Sequence, residues 1–152
     1  MFGWGAEKPK KTVKRYIEAL NSRNLAEIGK ILHKSVRFID SKGCWIQGRA
    51  DAMVAMDRFF AMEPNFRVIP KRLVAHNGEV LITGRCEAED ERLTHNTLWR
   101  TRAEDGCLLL WQSYGTSQAP ALARILSPDT AQSYDAPSGP GDAERSRAAN
   151  SY

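Results

Sequence analysis

The side chains with the clearest chemical potential gather around one carboxylate. Asp40 ends the run Val36-Arg37-Phe38-Ile39-Asp40. Strand alternation puts Val36, Phe38 and Asp40 on one side, and Arg37 and Ile39 on the other. Ser41-Lys42-Gly43 then turns the chain, and Gly48-Arg49 leads into a helical pattern. A carboxylate that closes an apolar face before a turn has two uses. It can accept a proton at the mouth of a pocket, or it can bond the backbone N–H groups of its own turn. Tyr16 shares a helix face with Val13, Ile17 and Leu20, where it serves either as core or as a hydroxyl facing a pocket. Arg85 and Glu87 alternate with Val80, Ile82, Cys86 and Ala88. They form either the wet face of a half-buried sheet or an ion pair inside a cavity, where each charge needs the other. His95, in phase with Thr97, Trp99 and Thr101, is either an acid–base group that titrates near neutrality or a satisfied sheet histidine. Phe38, Trp45, Phe59, Phe60, Trp99 and Trp111 offer apolar area for a flat ligand, or simply for packing.

These residues need elements to position them. Residues 9–22 repeat Val13, Tyr16, Ile17 and Leu20 at helical spacing. Asn24, with Glu27 three residues on, predicts a capping box that opens a second helix running to residue 32. The strand through Asp40 follows. Residues 50–62 form a third helix with the stripe Met53, Met56, Phe59 and Phe60, stopped by Pro64. From Phe66 the period becomes two. Strands are expected at 67–75, 79–88, 93–102 and 107–114, with Asn77-Gly78 and Asp105-Gly106 at turns. The result is a four-strand antiparallel meander preceded by three helices. A short helix at 119–126 ends the folded part. Beyond Pro128 the chain shifts to Ala, Ser, Pro, Gly and Asp, so one domain is expected over 9–126 and a disordered tail over 127–152.

Composition narrows the class. A chain of 152 residues holds one domain with a real core. The net charge of +4 is mild, and Lys8, Lys10, Lys11, Lys14 and Arg15 read as a solvated helix entry. No nucleic-acid motif accompanies them, so nucleic acid is not an expected partner. Cys44, Cys86 and Cys107 are odd in number and lack a C-x-x-C spacing. Neither a disulfide framework nor a zinc site is predicted, and free thiols fit a reducing compartment. His33, His76 and His95 are scattered, so no metal is expected. No apolar run approaches the ~20 residues of a membrane span, and the N-terminus lacks the apolar run of a signal peptide. A soluble, cytoplasmic protein is expected.

A family resemblance adds to this reading. Residues 13–32 read VKRYIEALNSRNLAEIGKIL, a strand ending in Phe38-Ile39-Asp40 follows, then Gly48-Arg49-Ala50 before a helix, and residues 99–114 read WRTRAEDGCLLLWQSY. In this order the segments resemble the nuclear transport factor 2-like superfamily, in its SnoaL-like branch. The resemblance implies an α+β cone in which a curved, mainly antiparallel sheet wraps a long helix and leaves a pocket at the wide end. It also implies homodimers that pair through the outer sheet face. The fold hosts enzymes and non-catalytic modules alike, so it does not choose a function.

Two enzyme patterns match in part. Arg15-Tyr16…Leu20-Asn21 is similar to the first helix of ketosteroid isomerase, which implies Tyr16 as donor to an oxyanion and Asp40 as general base. The acid of that family's later strand falls in His95-Asn96-Thr97, where Asn96 can donate instead. Arg85-Cys86-Glu87 resembles the arginine–carboxylate pair of limonene epoxide hydrolase. Ser113 stands where that family's second aspartate would fall. The combined expectation is a cofactor-free enzyme acting by acid–base chemistry on a small apolar molecule, as isomerase, cyclase or epoxide hydrolase. The alternative is a non-catalytic ligand-binding or dimerisation module.

Overall fold

The computed structural model describes residues 2–133. Helix α1 (Phe2–Asn21) and helix α2 (Leu25–Ile31) lead into strands β1 (Leu32–Ile39) and β2 (Cys44–Gln47). Helix α3 (Arg49–Met62) follows, then β3 (Arg67–His76), β4 (Glu79–Glu87), a 3₁₀ turn (Glu91–Leu93), β5 (Leu98–Glu104) and β6 (Cys107–Tyr114). Helix α4 (Leu122–Leu126) and the two-residue β7 (Gln132–Ser133) complete the described chain. The class is α+β, with one seven-stranded sheet ordered β3-β4-β5-β6-β1-β2-β7.

The expected meander is present as β3 to β6, antiparallel throughout. Its turns follow the residue types that the backbone demands. Asn77 and Gly78 both have positive φ (49° and 78°), as do Asp105 and Gly106 (51° and 78°), the geometry of two-residue hairpin loops. The sheet is larger than the meander, however. β1 joins β6 in parallel, and β2 folds back antiparallel on β1. β2 is four residues long and escapes a pattern search. Chain 127–133, expected as disordered tail, is part of the fold: β7 pairs with β2, placing Cys44 opposite Ser133 and Trp45 opposite Gln132. The rest of that expected tail, 134–152, lies outside the described residues.

Helix α1 extends further back than expected, because Pro9 sits inside it rather than at its start. At an interior position proline forfeits one backbone hydrogen bond. Half of the capping box forms: the Asn24 side chain accepts from Glu27 N at 3.0 Å. The Glu27 carboxylate pairs with Arg15 instead, at 3.1 Å. The end of α1 is pinned to the sheet by Asn21. Its amide donates to Val68 O (2.8 Å) and accepts from Val68 N (2.9 Å), so the side chain acts as a short piece of strand.

The core lies between α1 and the inner sheet face. Val13, Tyr16, Ile17 and Leu20 meet Val68, Val80, Ile82, Trp99, Leu108 and Trp111. On the outer face Val74, Leu81, Leu98 and Tyr114 are exposed. Arg100 bonds Glu79 there at 2.7 Å and holds its carboxyl below the usual carboxylate range. One glycine carries a packing constraint. A Cβ on Gly84 would lie 2.3 Å from Ile69 O and 2.9 Å from Pro70 Cα, both backbone atoms of the neighbouring strand. Gly84→Ala is therefore expected to lower the unfolding free energy by about 1–3 kcal/mol, read as a shifted midpoint in urea denaturation. An unchanged midpoint would show that β3 and β4 part there without cost.

Candidate functional site

The inner end of α1, the end of β1, α3 and the last two meander strands line a half-open cavity of about 100 Å³. α1 contributes Tyr16 and Leu20; β1 contributes Phe38; α3 contributes Met56 and Phe59. Trp99 and Trp111 form a wall, with ring centroids 6.1 Å apart, and Tyr16 lies 5.0 Å from Trp111 and 6.1 Å from Phe38. Pro120, Leu122, Ala123 and Leu126, from the segment after β6, close the opposite side. The polar groups on this apolar lining are Tyr16, Asp40, Ser41, Asn96 and Ser113.

Asp40 is only 9% exposed. Its backbone closes the β1–β2 turn, since Asp40 N donates to Cys44 O (2.8 Å) and Gly43 N donates to Asp40 O (3.1 Å). Its carboxylate does more. Oδ1 accepts from Lys42 N (2.9 Å) and Cys44 N (3.0 Å), and Oδ2 accepts from Ala123 N (2.8 Å). A carboxylate offers about four acceptor positions, so three are filled and one is left. The bond to Ala123 explains how a five-residue helix starts without a cap of its own. The N-cap of α4 is Ala121, which has no side-chain acceptor, and Asp40 supplies the acceptor from across the cavity. The carboxylate thus bonds its own turn, one of the two uses expected of it, and the residue also lines the cavity.

The Tyr16 ring is 1% exposed, and its hydroxyl finds no hydrogen-bond partner among the described residues. Burial pushes its ionisation well above the ordinary tyrosine value. The group is therefore a phenol, able to donate and not to act as a base. Asn96 is 6% exposed and takes Ser41 Oγ on its Oδ1 at 3.0 Å. Its amide nitrogen remains without a partner among the described residues.

Four expected site residues lie elsewhere. Arg85 and Glu87 pair with each other at 3.1 Å on the outer sheet face, with side chains 61% and 49% exposed. The inner phase of β4 belongs to Val80, Ile82 and Cys86, which pack in the core. Cys86 is a filler there, its thiol pushed up to about 12 by burial. Trp45 also faces outward. The β1–β2 register sets it opposite Ile39, and it joins Ile39 and Leu110 in a small separate cluster, with the Arg37 guanidinium 4.9 Å from its ring centroid. His95 is exposed. The Asp90 side chain caps the 3₁₀ turn by accepting from Arg92 N, so 95–97 is a loop and β5 starts only at Leu98.

Ser41 and the closing segment were not singled out from the sequence. A helix pattern at 119–126 that starts on alanine was the available signal, since its first N–H groups need an acceptor from elsewhere. Among the described residues, no group of three or more His, Cys, Asp or Glu is placed to hold a metal ion, and no helix is long and apolar enough to cross a membrane.

A curved sheet wrapped on α1, with an apolar cavity between them, defines a class of small-molecule-binding α+β domains. The chain belongs to the SnoaL-like family: residues 13–111 match the family model of a SnoaL-like domain. No curated protein matches the chain. Solved structures share the fold. An LEH-like epoxide hydrolase of M. tuberculosis is 18% identical, with 73% of this chain and 80% of that chain covered at a TM-score of 0.64. A hypothetical protein of Catenulispora acidiphila with a ketosteroid isomerase-like fold is 17% identical, covering 72% and 94% at 0.58. An NTF2-like protein of unknown function from Burkholderia pseudomallei is 19% identical, covering 72% and 91% at 0.59. The fold is nuclear transport factor 2-like.

Proposed function

We propose that the chain is a cofactor-free enzyme that moves a proton on a small apolar carbonyl compound. The observation that carries this reading is that Tyr16 and Asp40 both line one apolar cavity. Asp40 would use its remaining acceptor position to take a proton from the carbon next to the carbonyl. The electron pair moves onto the carbonyl oxygen, where Tyr16 donates a hydrogen bond to the developing oxyanion. Return of the proton to a different carbon gives isomerisation. Attack of the enolate carbon on a second carbonyl of the same molecule, whose oxygen then takes the proton back from Asp40, gives cyclisation. The water-adding alternative loses the residue pair expected to carry it, because Arg85 and Glu87 lie on the far side of the sheet. The exposed Val74, Leu81, Leu98 and Tyr114 support pairing of two copies through that outer face.

A second reading is a ligand-binding module without catalysis. It is favoured by the three backbone N–H groups on the Asp40 carboxylate, which already give this residue a structural task. Turnover separates the two. With a panel of unsaturated ketones and diketones, the wild-type protein is expected to convert at least one compound, and Asp40→Asn to slow that conversion by about 10²-fold or more. Equal turnover in the variant would remove Asp40 from the chemistry. Binding without conversion across the panel would leave the module reading.

A further inference from the structure

We infer that this site takes a compact, neutral molecule of about one ring that presents an acceptor oxygen, and that the segment after β6 sets the size limit. The inference rests on the proposed cavity being the ligand site, and it names the ligand's class.

Size comes first. The cavity holds about 100 Å³, whereas pockets for drug-sized molecules run to roughly 300–1,000 Å³, and a cavity of about 150 Å³ is enough for benzene. The aromatic wall cannot recede, because Tyr16, Trp99 and Trp111 pack on one another at 5.0 and 6.1 Å in the core. The other wall is a roof, and it is tied down at several points. Ala123 N bonds Asp40 Oδ2 (2.8 Å), Arg58 donates to Leu126 O (2.7 Å), and Lys42 Nζ donates to Ser117 O (2.5 Å). Arg124 Nε reaches Cys44 Sγ at 3.3 Å, and β7 pairs with β2. Under these ties Pro120, Leu122 and Leu126 line the cavity, so a larger ligand would have to displace them. This roof lies beyond residues 13–111, the span that matches the family model.

Polarity comes second. Three polar groups of the lining have no protein partner among the described residues, the Tyr16 and Ser113 hydroxyls and the Asn96 amide nitrogen; all three can donate, so a ligand that supplies an acceptor suits them. Asn96 is held for this by two neighbours. Ser41 Oγ occupies its Oδ1, and Gly115 makes room, since a Cβ there would lie 2.2 Å from Asn96 Oδ1. No Lys or Arg lines the cavity and Asp40 does. An anion would therefore be buried beside a carboxylate with no counter-charge. A cation would find one counter-charge, the Asp40 carboxylate, most of which is already taken by three backbone N–H groups. A neutral carbonyl oxygen fits both constraints.

Thermal shift and quenching of tryptophan fluorescence test this on the full chain with four probes: cyclohex-2-enone, methylcyclohexane, benzoate and progesterone. Cyclohex-2-enone is expected to saturate and to raise Tm, with on the order of tenfold tighter binding than the hydrocarbon. Benzoate and progesterone are expected not to saturate. Ser41→Ala should shrink the preference for the ketone over the hydrocarbon while leaving hydrocarbon binding in place. Leu126→Ala should admit the two-ring ketone 1-tetralone. If progesterone binds the wild type as tightly as cyclohex-2-enone, the size limit is wrong while the function reading stands. If benzoate binds better than the ketone, the neutral-acceptor class is wrong. If none of the four binds, the cavity is not the ligand site, and both readings fall together.

Discussion

Replacing Asp40 by alanine is expected to destabilise the protein by about 3 kcal/mol, roughly 1 kcal/mol for each backbone N–H left without an acceptor. The three donors are Lys42 N, Cys44 N and Ala123 N. They belong to the β1–β2 turn and to α4, segments about eighty residues apart in sequence that this carboxylate ties together. For a domain of this size the loss corresponds to a fall in Tm of about 10 °C. Asp40→Asn should fall between the two. Its single carbonyl oxygen can keep the two turn donors, but its amide then faces Ala123 N–H, donor against donor. The asparagine variant should accordingly show faster hydrogen exchange in α4, with the turn still protected. A loss of less than 1 kcal/mol in Asp40→Ala would mean that the turn and the roof hold without the carboxylate. The order wild type, Asn, Ala also separates structure from chemistry. Turnover lost in Asp40→Asn beyond the fraction unfolded reports the proton acceptor.

Tyr16→Phe should behave in the opposite way. The hydroxyl has no partner among the described residues, so its removal breaks no protein hydrogen bond. The ring keeps its contacts with Trp111 at 5.0 Å and Phe38 at 6.1 Å. Stability is expected to stay within about 0.5 kcal/mol of wild type, and turnover of a converted ketone to fall by about 10²–10³. The loss should lie in kcat more than in KM, because the hydrogen bond strengthens as charge develops on the oxygen. The phenol stays protonated across the working pH range, its ionisation pushed up by burial. The variant therefore should not change the alkaline side of the pH–rate profile. Unchanged turnover in a folded Tyr16→Phe protein would remove Tyr16 as the oxyanion donor.

Much of the fold was legible in local patterns. Val13, Tyr16, Ile17 and Leu20 recur at helical spacing and are all buried. Asn77-Gly78 and Asp105-Gly106 announce hairpins because few other residues adopt positive φ twice in succession, and the structure turns there. β2 and β7 were not legible. They are four and two residues long, too short for alternation to register; β2 pairs with the open edge of β1, and β7 with the edge that β2 then presents. The parallel contact of β1 with β6 joins distant segments, which no local period encodes.

The candidate site divides in the same way. Alternation put Arg85 and Glu87 on one face of β4 and Val80, Ile82 and Cys86 on the other. It could not say which face met α1. The apolar face did, for the ordinary reason that unpaired charge is costly to bury, and the ion pair was left outside. Trp45 was an aromatic like Trp99 and Trp111 until the register with Ile39 turned it outward. His95 had the right phase for a strand that starts three residues later. By itself the sequence determined which residues share a face, where the chain turns, and that a carboxylate closes the first strand's apolar side. Those follow from the periods of helix and strand and from φ preferences, all short-range. Only the tertiary structure decided that this carboxylate would face a cavity with Tyr16 and Asn96. It alone also decided that three backbone N–H groups would fill most of the carboxylate, because burial and hydrogen-bond partners are set by segments that meet in space and not along the chain.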